Sequence, residues 1–390
     1  MKVLLVHNAY QHRGGEDAVV EAEADLLRAR GVSVSTHIAN NDALSGMSAK
    51  LRAAANVEHN ASAIAPVIDL ARRENPDVIH VHNFFPVLSP GLHLELASRG
   101  FPIVQTLHNY RLLCANAMFM RENEVCEKCL TGTRLNAVRH RCYRDSAIGS
   151  ATVLRFQNAS IGSARWLQSI SRFVALTAFQ REKLVQGGLP PEKTAIKGNF
   201  VPHLGAGAAW ADRAGALFVG RIAPGKGVDL LARAWRHLPD VPLTIVGDGP
   251  DLEAVRAMAP PHVAFRGRLD KEAVMKLMAQ AKFLIVPSTW YEGFPMTIVE
   301  AFASGLPVLG SNLGGVAEIV RPGANGMLFE PGDPGAIERS VRDAFEDHEA
   351  GAQMSRHAQA DYARLYSEDA NFLAITKIYK DAIKEKKQTA

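Results

Sequence analysis

Two successive runs of short apolar segments, separated by stretches of helical period, constrain this chain more than any other feature. In the first run, Lys2–Asn8 leads through Gly14-Gly15 into a pattern of Val19, Val20, Ala24 and Leu27 that stops at Gly31. Val32, Val34, Thr36 and Ile38 then alternate with polar neighbours, as a half-buried strand does. Asp77–Val81, Ile103–Leu107 and Phe173–Leu176 read as further short strands. The pattern breaks into Gly, Ala and Pro between Phe200 and Ala214, which marks a linker. A second alternation follows, with strands at Ala216–Val219, Leu243–Val246, Val263–Phe265, Phe283–Val286 and Pro307–Leu309. Strands that alternate with helices predict an α/β fold of parallel sheets covered on both faces. The 390 residues suit two such domains. Ligands in these folds bind beyond the carboxyl ends of the strands, so the informative loops are those following strands. Phe372, Ile375, Tyr379 and Ile383 recur at helical spacing and predict a last helix with one apolar face.

No apolar run approaches the roughly 20 residues that span a bilayer. The opening Val3–Val6 stretch is too short for a signal peptide, so the expected location is cytoplasmic. The net charge is +4, and it is unevenly placed. Between Arg111 and Arg144 seven Lys or Arg face three Glu, so that one segment carries as much excess charge as the whole chain. It also holds all four cysteines, Cys114, Cys126, Cys129 and Cys142. The segment, about 111–145, reads as an insertion with its own purpose.

The most informative loop follows Phe283–Val286. It runs Glu292-Gly293-Phe294-Pro295-Met296-Thr297-Ile298-Val299-Glu300-Ala301. Pro295 suits the first turn of a helix, where a missing N–H costs nothing. Gly293 lets a ligand approach the backbone. The free N–H groups of Met296 and Thr297, with the helix dipole, suit a diphosphate. Glu292 stands where a carboxylate accepts from sugar hydroxyls, and Glu300 where it accepts from a ribose. The wording of this segment, with Ser304–Val308 after it, resembles the donor-site signature of retaining glycosyltransferases of family four. Phe218-Val219-Gly220-Arg221 followed by Gly225-Lys226-Gly227 agrees with it. Arg221 can fork onto phosphate oxygens while Lys226 supplies a point charge.

The resemblance covers nearly the whole chain. It implies the GT-B arrangement of two Rossmann-like domains with an interdomain cleft: an acceptor domain at 1–203, a donor domain at 204–368, and a helix at 369–390 returning to the first. It implies that Arg221 and Lys226 hold the donor diphosphate, that Arg268 lies against the nucleobase, and that the Gly14-Gly15 loop closes over the phosphates. It places His108 on the reacting face, although Asn109 stands where the family often has Asp. Catalysis then needs no metal; the partners are a UDP- or GDP-sugar donor and a glycan or lipid-linked saccharide acceptor, in bacterial surface polysaccharide synthesis. His80 and His82 share one face of a strand and read as cleft lining. A nucleotide-sugar epimerase is the rival enzyme class, and a non-catalytic binding protein on the same scaffold the rival outside enzymes; the two glutamates with Arg221 and Lys226 argue against both.

The cysteines follow C-x11-C-x2-C-x12-C. The central C-x2-C is a zinc bite, which predicts a structural zinc on Cys114, Cys126, Cys129 and Cys142, with plain thiols as the alternative. A bacterial subgroup of the family has similarly placed cysteines. The basic insertion, continued by Arg155, Arg165 and Arg172 beside Leu154, Phe156, Ile161 and Trp166, predicts contact with an anionic membrane surface. No nucleic-acid module is recognisable.

Overall fold

The computed structural model describes residues 1–9, 14–41, 46–202, 205 and 207–389. The expected 203/204 boundary falls on His203 and Leu204, outside the described residues. The chain divides into two compact units, Met1–Phe119 with Cys126–Asn199 and Asn371–Ala390, and Met120–Val125 with Phe200–Ala370.

The first unit is built on six parallel strands: β1 (Lys2–Asn8), β2 (Ser33–Ala39), β3 (Val78–Asn83), β4 (Ile103–Leu107), β7 (Arg172–Ala175) and β8 (Thr194–Ile196), in the order β2-β1-β3-β4-β7-β8. β1 is buried from Val3 to Asn8 and β4 throughout, as central strands covered on both faces must be. β2, at the edge, alternates in exposure. The helix Gly15–Ala29 buries Val19, Val20, Glu23, Ala24, Leu26 and Leu27. It ends because Gly31 adopts φ +77, a left-handed turn that lets the Gly31 and Val32 N–H groups return to Arg28 and Leu27. The long helix Glu368–Thr389 supplies Ile375, Ile378, Tyr379 and Ala382 to a core shared with Val3, Leu5, Ala24, Leu27, Val78, Val104 and Val174.

The second unit holds a two-residue hairpin, β5 (Met120–Arg121) with β6 (Glu124–Val125), and a second parallel sheet. Its strands are β9 (Ala216–Val219), β10 (Leu243–Val246), β11 (Val263–Phe265), β12 (Phe283–Val286), β13 (Val308–Ser311) and β14 (Gly326–Phe329). Their order is β11-β10-β9-β12-β13-β14, so the direction of winding reverses between β9 and β12. The carboxyl ends of those two strands flank the crevice where such sheets take ligands.

The two-domain α/β reading holds, with differences at ends. Leu176 falls outside β7, and Pro307 outside β13: with no N–H it offers the ladder only a carbonyl, which accepts from Leu284. β8, β14 and the hairpin strands went unread because two to four residues are too short to show a period.

Candidate functional site

Two loops meet at the reversal point of the second sheet. The loop after β9 carries Arg221 and Lys226 into the helix Val228–Ala234, and the loop after β12 carries Ser288 to Pro295 into the helix Met296–Ala303. The Thr289 N–H donates to the Gly225 carbonyl at 2.8 Å and ties the loops together. Gly227 has φ +68, and a Cβ there would lie 2.0 Å from the Pro287 carbonyl oxygen, so no other residue fits this approach.

Glu292 is the focus. Its Oε1 accepts from Lys226 Nζ at 2.6 Å, Ser288 Oγ at 2.7 Å and Trp290 Nε1 at 3.1 Å. The Lys226 ammonium also sits over the Trp290 ring, 5.3 Å from its centroid. Glu292 is buried while Lys226 is half-buried, so the pair faces solvent from the cationic side. Ser288 and Trp290 escaped the sequence reading although they stand in the same loop; their proximity to Glu292 was the available signal. Gly293 and Phe294 lead to the helix start, where Pro295 is the residue before the first turn rather than in it. This corrects the expected position by one residue. The Pro295 carbonyl accepts from Ile298, so the N–H groups of Met296 and Thr297 precede the first helical bond. Glu300 is half-buried, and burial raises its carboxyl above the usual range, with Lys271 opposing. Arg221 and Arg268 are both exposed.

In the first unit the expected residues also stand at strand ends. Gly14 caps the helix Gly15–Ala29, and its N–H donates to Asp17 Oδ2 at 2.7 Å. A Cβ on Gly15 would meet nothing within 4 Å among the described residues. Asn109 donates from Nδ2 to Glu16 Oε1 at 2.8 Å. An Asp at that position would set two carboxylates against each other. His108 is half-buried, its Nε2 3.0 Å from His82 Nδ1. His80 and His82 are no cleft lining. Both are buried inside the unit, His80 between the Tyr379 hydroxyl at 2.8 Å and the Thr106 hydroxyl at 2.7 Å. Beside them lies Glu23, 1% exposed, with Lys197 Nζ 2.9 Å from its Oε2. Glu23 was missed, yet it is a charged residue on the apolar face marked by Val20, Ala24 and Leu27, which is an informative anomaly.

Residues 209–361 match the family model described as "Glycosyl transferases group 1", and residues 13–203 match "Glycosyltransferase Family 4". The chain is a member of glycosyltransferase family four. Among its relatives is the D-inositol 3-phosphate glycosyltransferase of Streptomyces scabiei, 29% identical over 57% of this chain and 56% of the relative. The match spans about half the length of such curated relatives. Sucrose-phosphate synthase of Thermosynechococcus elongatus has the same GT-B fold, with a TM-score of 0.72 at 18% identity over 97% of this chain and 98% of that one. An Anabaena protein solved in complex with UDP-glucose gives a TM-score of 0.64 at 18% identity, covering 97% and 100%.

In this family-four chain all four cysteines belong to the first unit, which also holds the segment's two four-residue helices, Lys128–Thr131 and Asn136–Arg139, while its residues Met120–Val125 group with the second unit. Cys114 is buried and the other three cysteines are half-buried. Burial pushes the Cys129 thiol up to about 11, reinforced by Cys114, Cys142 and Cys126 nearby. Among the described residues, the group of three or more ligand atoms gathered within 4.8 Å is Glu23, His80 and His82; the thiols form no such group. A hollow of about 630 Å³ opens beside Cys129, Arg134, Leu135, Asn158 and Gln186, and none of the candidate donor residues lines it. The membrane expectation loses most of its apolar half: Phe156, Ile161 and Trp166 are core residues. Arg155 pairs with Glu58 at 2.8 Å, and Arg172 with Glu385. Among the described residues no helix is long and apolar enough to cross a membrane.

Proposed function

We propose that this chain is a retaining glycosyltransferase that moves a sugar from a UDP- or GDP-sugar to a glycan or lipid-linked saccharide. The observation that carries the reading is the convergence of Lys226, Ser288 and Trp290 on one oxygen of Glu292, beside the open start of the helix Met296–Ala303. Without ligand, Lys226 and Glu292 neutralise each other. A bound donor separates their roles: its diphosphate takes Lys226, Arg221 and the Met296 and Thr297 N–H groups, and its sugar hydroxyls take Glu292. Ser288 and Trp290 keep the carboxylate aimed when the lysine turns to phosphate. Glu300 takes the ribose, and His108 lines the reacting face. The acceptor oxygen bonds to the anomeric carbon on the face the diphosphate leaves. The carbon–oxygen bond to phosphate breaks, and a phosphate oxygen receives the acceptor proton. Positioning and charge stabilisation are then the protein's whole contribution, and no catalytic metal is required.

The test is a thermal-shift series with UDP, GDP and ADP. A nucleotide at 100 times its Kd adds about 2.7 kcal/mol of stability, a readily visible rise in Tm. Silence to all three would remove the reading.

The same proposal includes a structural zinc on Cys114, Cys126, Cys129 and Cys142. Its support is the gathering of Cys114, Cys126 and Cys142 near Cys129, together with burial that opposes ionisation of Cys129 and Cys114, a cost that a dication would offset. The segment also has short helices and little regular structure, the situation in which a metal staple contributes most. A tetrahedral ion with Zn–S near 2.3 Å needs sulfurs about 3.8 Å apart, so the thiols must draw together on binding. Elemental analysis of purified protein is expected to find about one zinc per chain, with the segment losing protease resistance under chelator. Protein free of zinc and indifferent to chelator would overturn this assignment.

A further inference from the structure

Behind His108 stands a file of buried groups drawn from four elements. Lys197, just past β8, places its ammonium 2.9 Å from Glu23 Oε2. The other oxygen of Glu23 lies 3.4 Å from His82 Nε2. His82 Nδ1 in turn lies 3.0 Å from His108 Nε2, the two rings being within 15° of parallel. Glu23, His82 and Lys197 are each no more than 5% exposed.

The proton positions follow from this geometry. Glu23 is paired with an ammonium, so it is ionised and only accepts. Glu23 Oε1 lies 3.1 Å from His80 Nδ1, and it is also the acceptor that faces the buried His82 Nε2, at 3.4 Å. The proton of that contact must belong to His82 Nε2. A neutral imidazole carries one N–H, which leaves His82 Nδ1 as a lone pair. His108 must therefore donate from Nε2, and its own Nδ1 is left bare.

We propose that Glu23 and His82 are positioning residues that hold His108 in its Nε2–H tautomer, presenting Nδ1 as a fixed acceptor for a hydroxyl of the donor sugar or the acceptor. The inference rests on the placement of His108 at the reacting face. Burial keeps the two rings neutral, holding His82 at about 3 and His108 well below its ordinary value. The other titratable groups around the file are His80, Tyr379 and the pair His7–Asp17, whose Nε2 and Oδ1 are 2.8 Å apart. A metal on Glu23, His80 and His82 is the weaker use of the cluster. The Lys197 ammonium already holds the carboxylate, and both nitrogens of His80 are engaged by hydroxyls.

The test is nitrogen NMR of the full chain labelled with 15N-histidine, read from about pH 6 to about pH 8, the interval in which an ordinary histidine titrates. His82→Asn and His108→Gln spectra assign the two rings by the signals they lose. Both rings are expected as neutral Nε2–H tautomers with no titration in the interval. His108 found as the Nδ1–H tautomer, or protonating within it, overturns the proposal without touching the nucleotide thermal shifts. Conversely, absent thermal shifts with the tautomers as stated remove the functional reading and leave the proton file intact. Glu23→Gln is expected to mix the His108 tautomers and lower kcat on the order of 10- to 100-fold with little change in donor KM. Glu23→Asp should recover part of the loss. Unchanged tautomers in Glu23→Gln count against the role, and should that variant fail to fold, the spectrum of the unaltered protein decides.

Discussion

Lys226→Ala is expected to lower turnover roughly 10²- to 10³-fold while the fold survives. Lys226 already stands 2.6 Å from the carboxylate that would hold the sugar, so it is placed for the charge that builds on a departing diphosphate. The fold should survive because Glu292 keeps two donors, Ser288 at 2.7 Å and Trp290 at 3.1 Å, and is not left an orphan. The pair is also open to water on the lysine side, where removing one partner costs about 1 kcal/mol or less. Lys226→Arg should restore part of the rate, since charge returns without the same reach. The measurement is kcat with a fixed donor, beside Tm. A near-normal kcat would remove Lys226 from the mechanism.

Lys197→Met should produce the largest loss of stability among single changes to the buried file, about 3–5 kcal/mol near neutral pH. The reason is the anion left behind. Burial alone would raise the Glu23 carboxyl, and it is Lys197, helped by His80 and His82, that holds it well below the usual range. A carboxyl with a depressed folded pKa contributes stability that is complete above its ordinary value of 4.5 and is lost as pH falls through the folded one. Without Lys197 burial prevails and the sign reverses: the ionised variant is penalised at high pH and relieved as Glu23 takes a proton. The gap between the two proteins should therefore narrow in acid. Buried histidines lower stability in acid in both proteins. His82 and His93 are held at about 3 and about 4 by burial, against 6.5 in the unfolded chain. The unfolded state takes up their protons first, so stability falls by roughly 1.4 kcal/mol per pH unit for each once pH drops below about 6. Urea unfolding near pH 7.5 and pH 5 checks both signs. A cost under about 1 kcal/mol for Lys197→Met would mean that the ammonium and carboxylate are not a buried pair.

Much of the fold and of the donor side was legible in one dimension. Strands buried on both faces announce themselves as unbroken apolar runs, such as Val3–Val6 within β1 and Phe283–Val286, because each of those positions meets a hydrophobic layer. The residues proposed for the donor, Glu292 to Glu300, lie on one loop and the helix start that follows it, so their spacing along the chain is nearly their spacing in space. Lys226 and Glu292 are 66 residues apart, but each lies in the loop that follows a strand at the reversal point, and such loops can be located from the sequence.

The first unit was read less well. His80 and His82 were taken for lining because alternation along a strand shows which residues share a face, but not whether that face meets solvent or a helix. The face meets Tyr379, 299 residues away from His80, on a helix that packs back over β1 and β3. Phe156, Ile161 and Trp166 were misread for the same reason, since an apolar residue next to arginines looks alike at a membrane and in a core.

By itself, then, the sequence determined the alternation of strands and helices, the division into two sheets and the loop that would hold a nucleotide-sugar, because each is encoded by residues close together in the chain. Only the tertiary structure decided that Lys197, Glu23, His82 and His108 form one file. The parallel sheet sets the carboxyl ends of β3 and β4 side by side and lays a helix across them, and a proton's position depends on which buried atoms end up within about 3 Å, a distance no local pattern records.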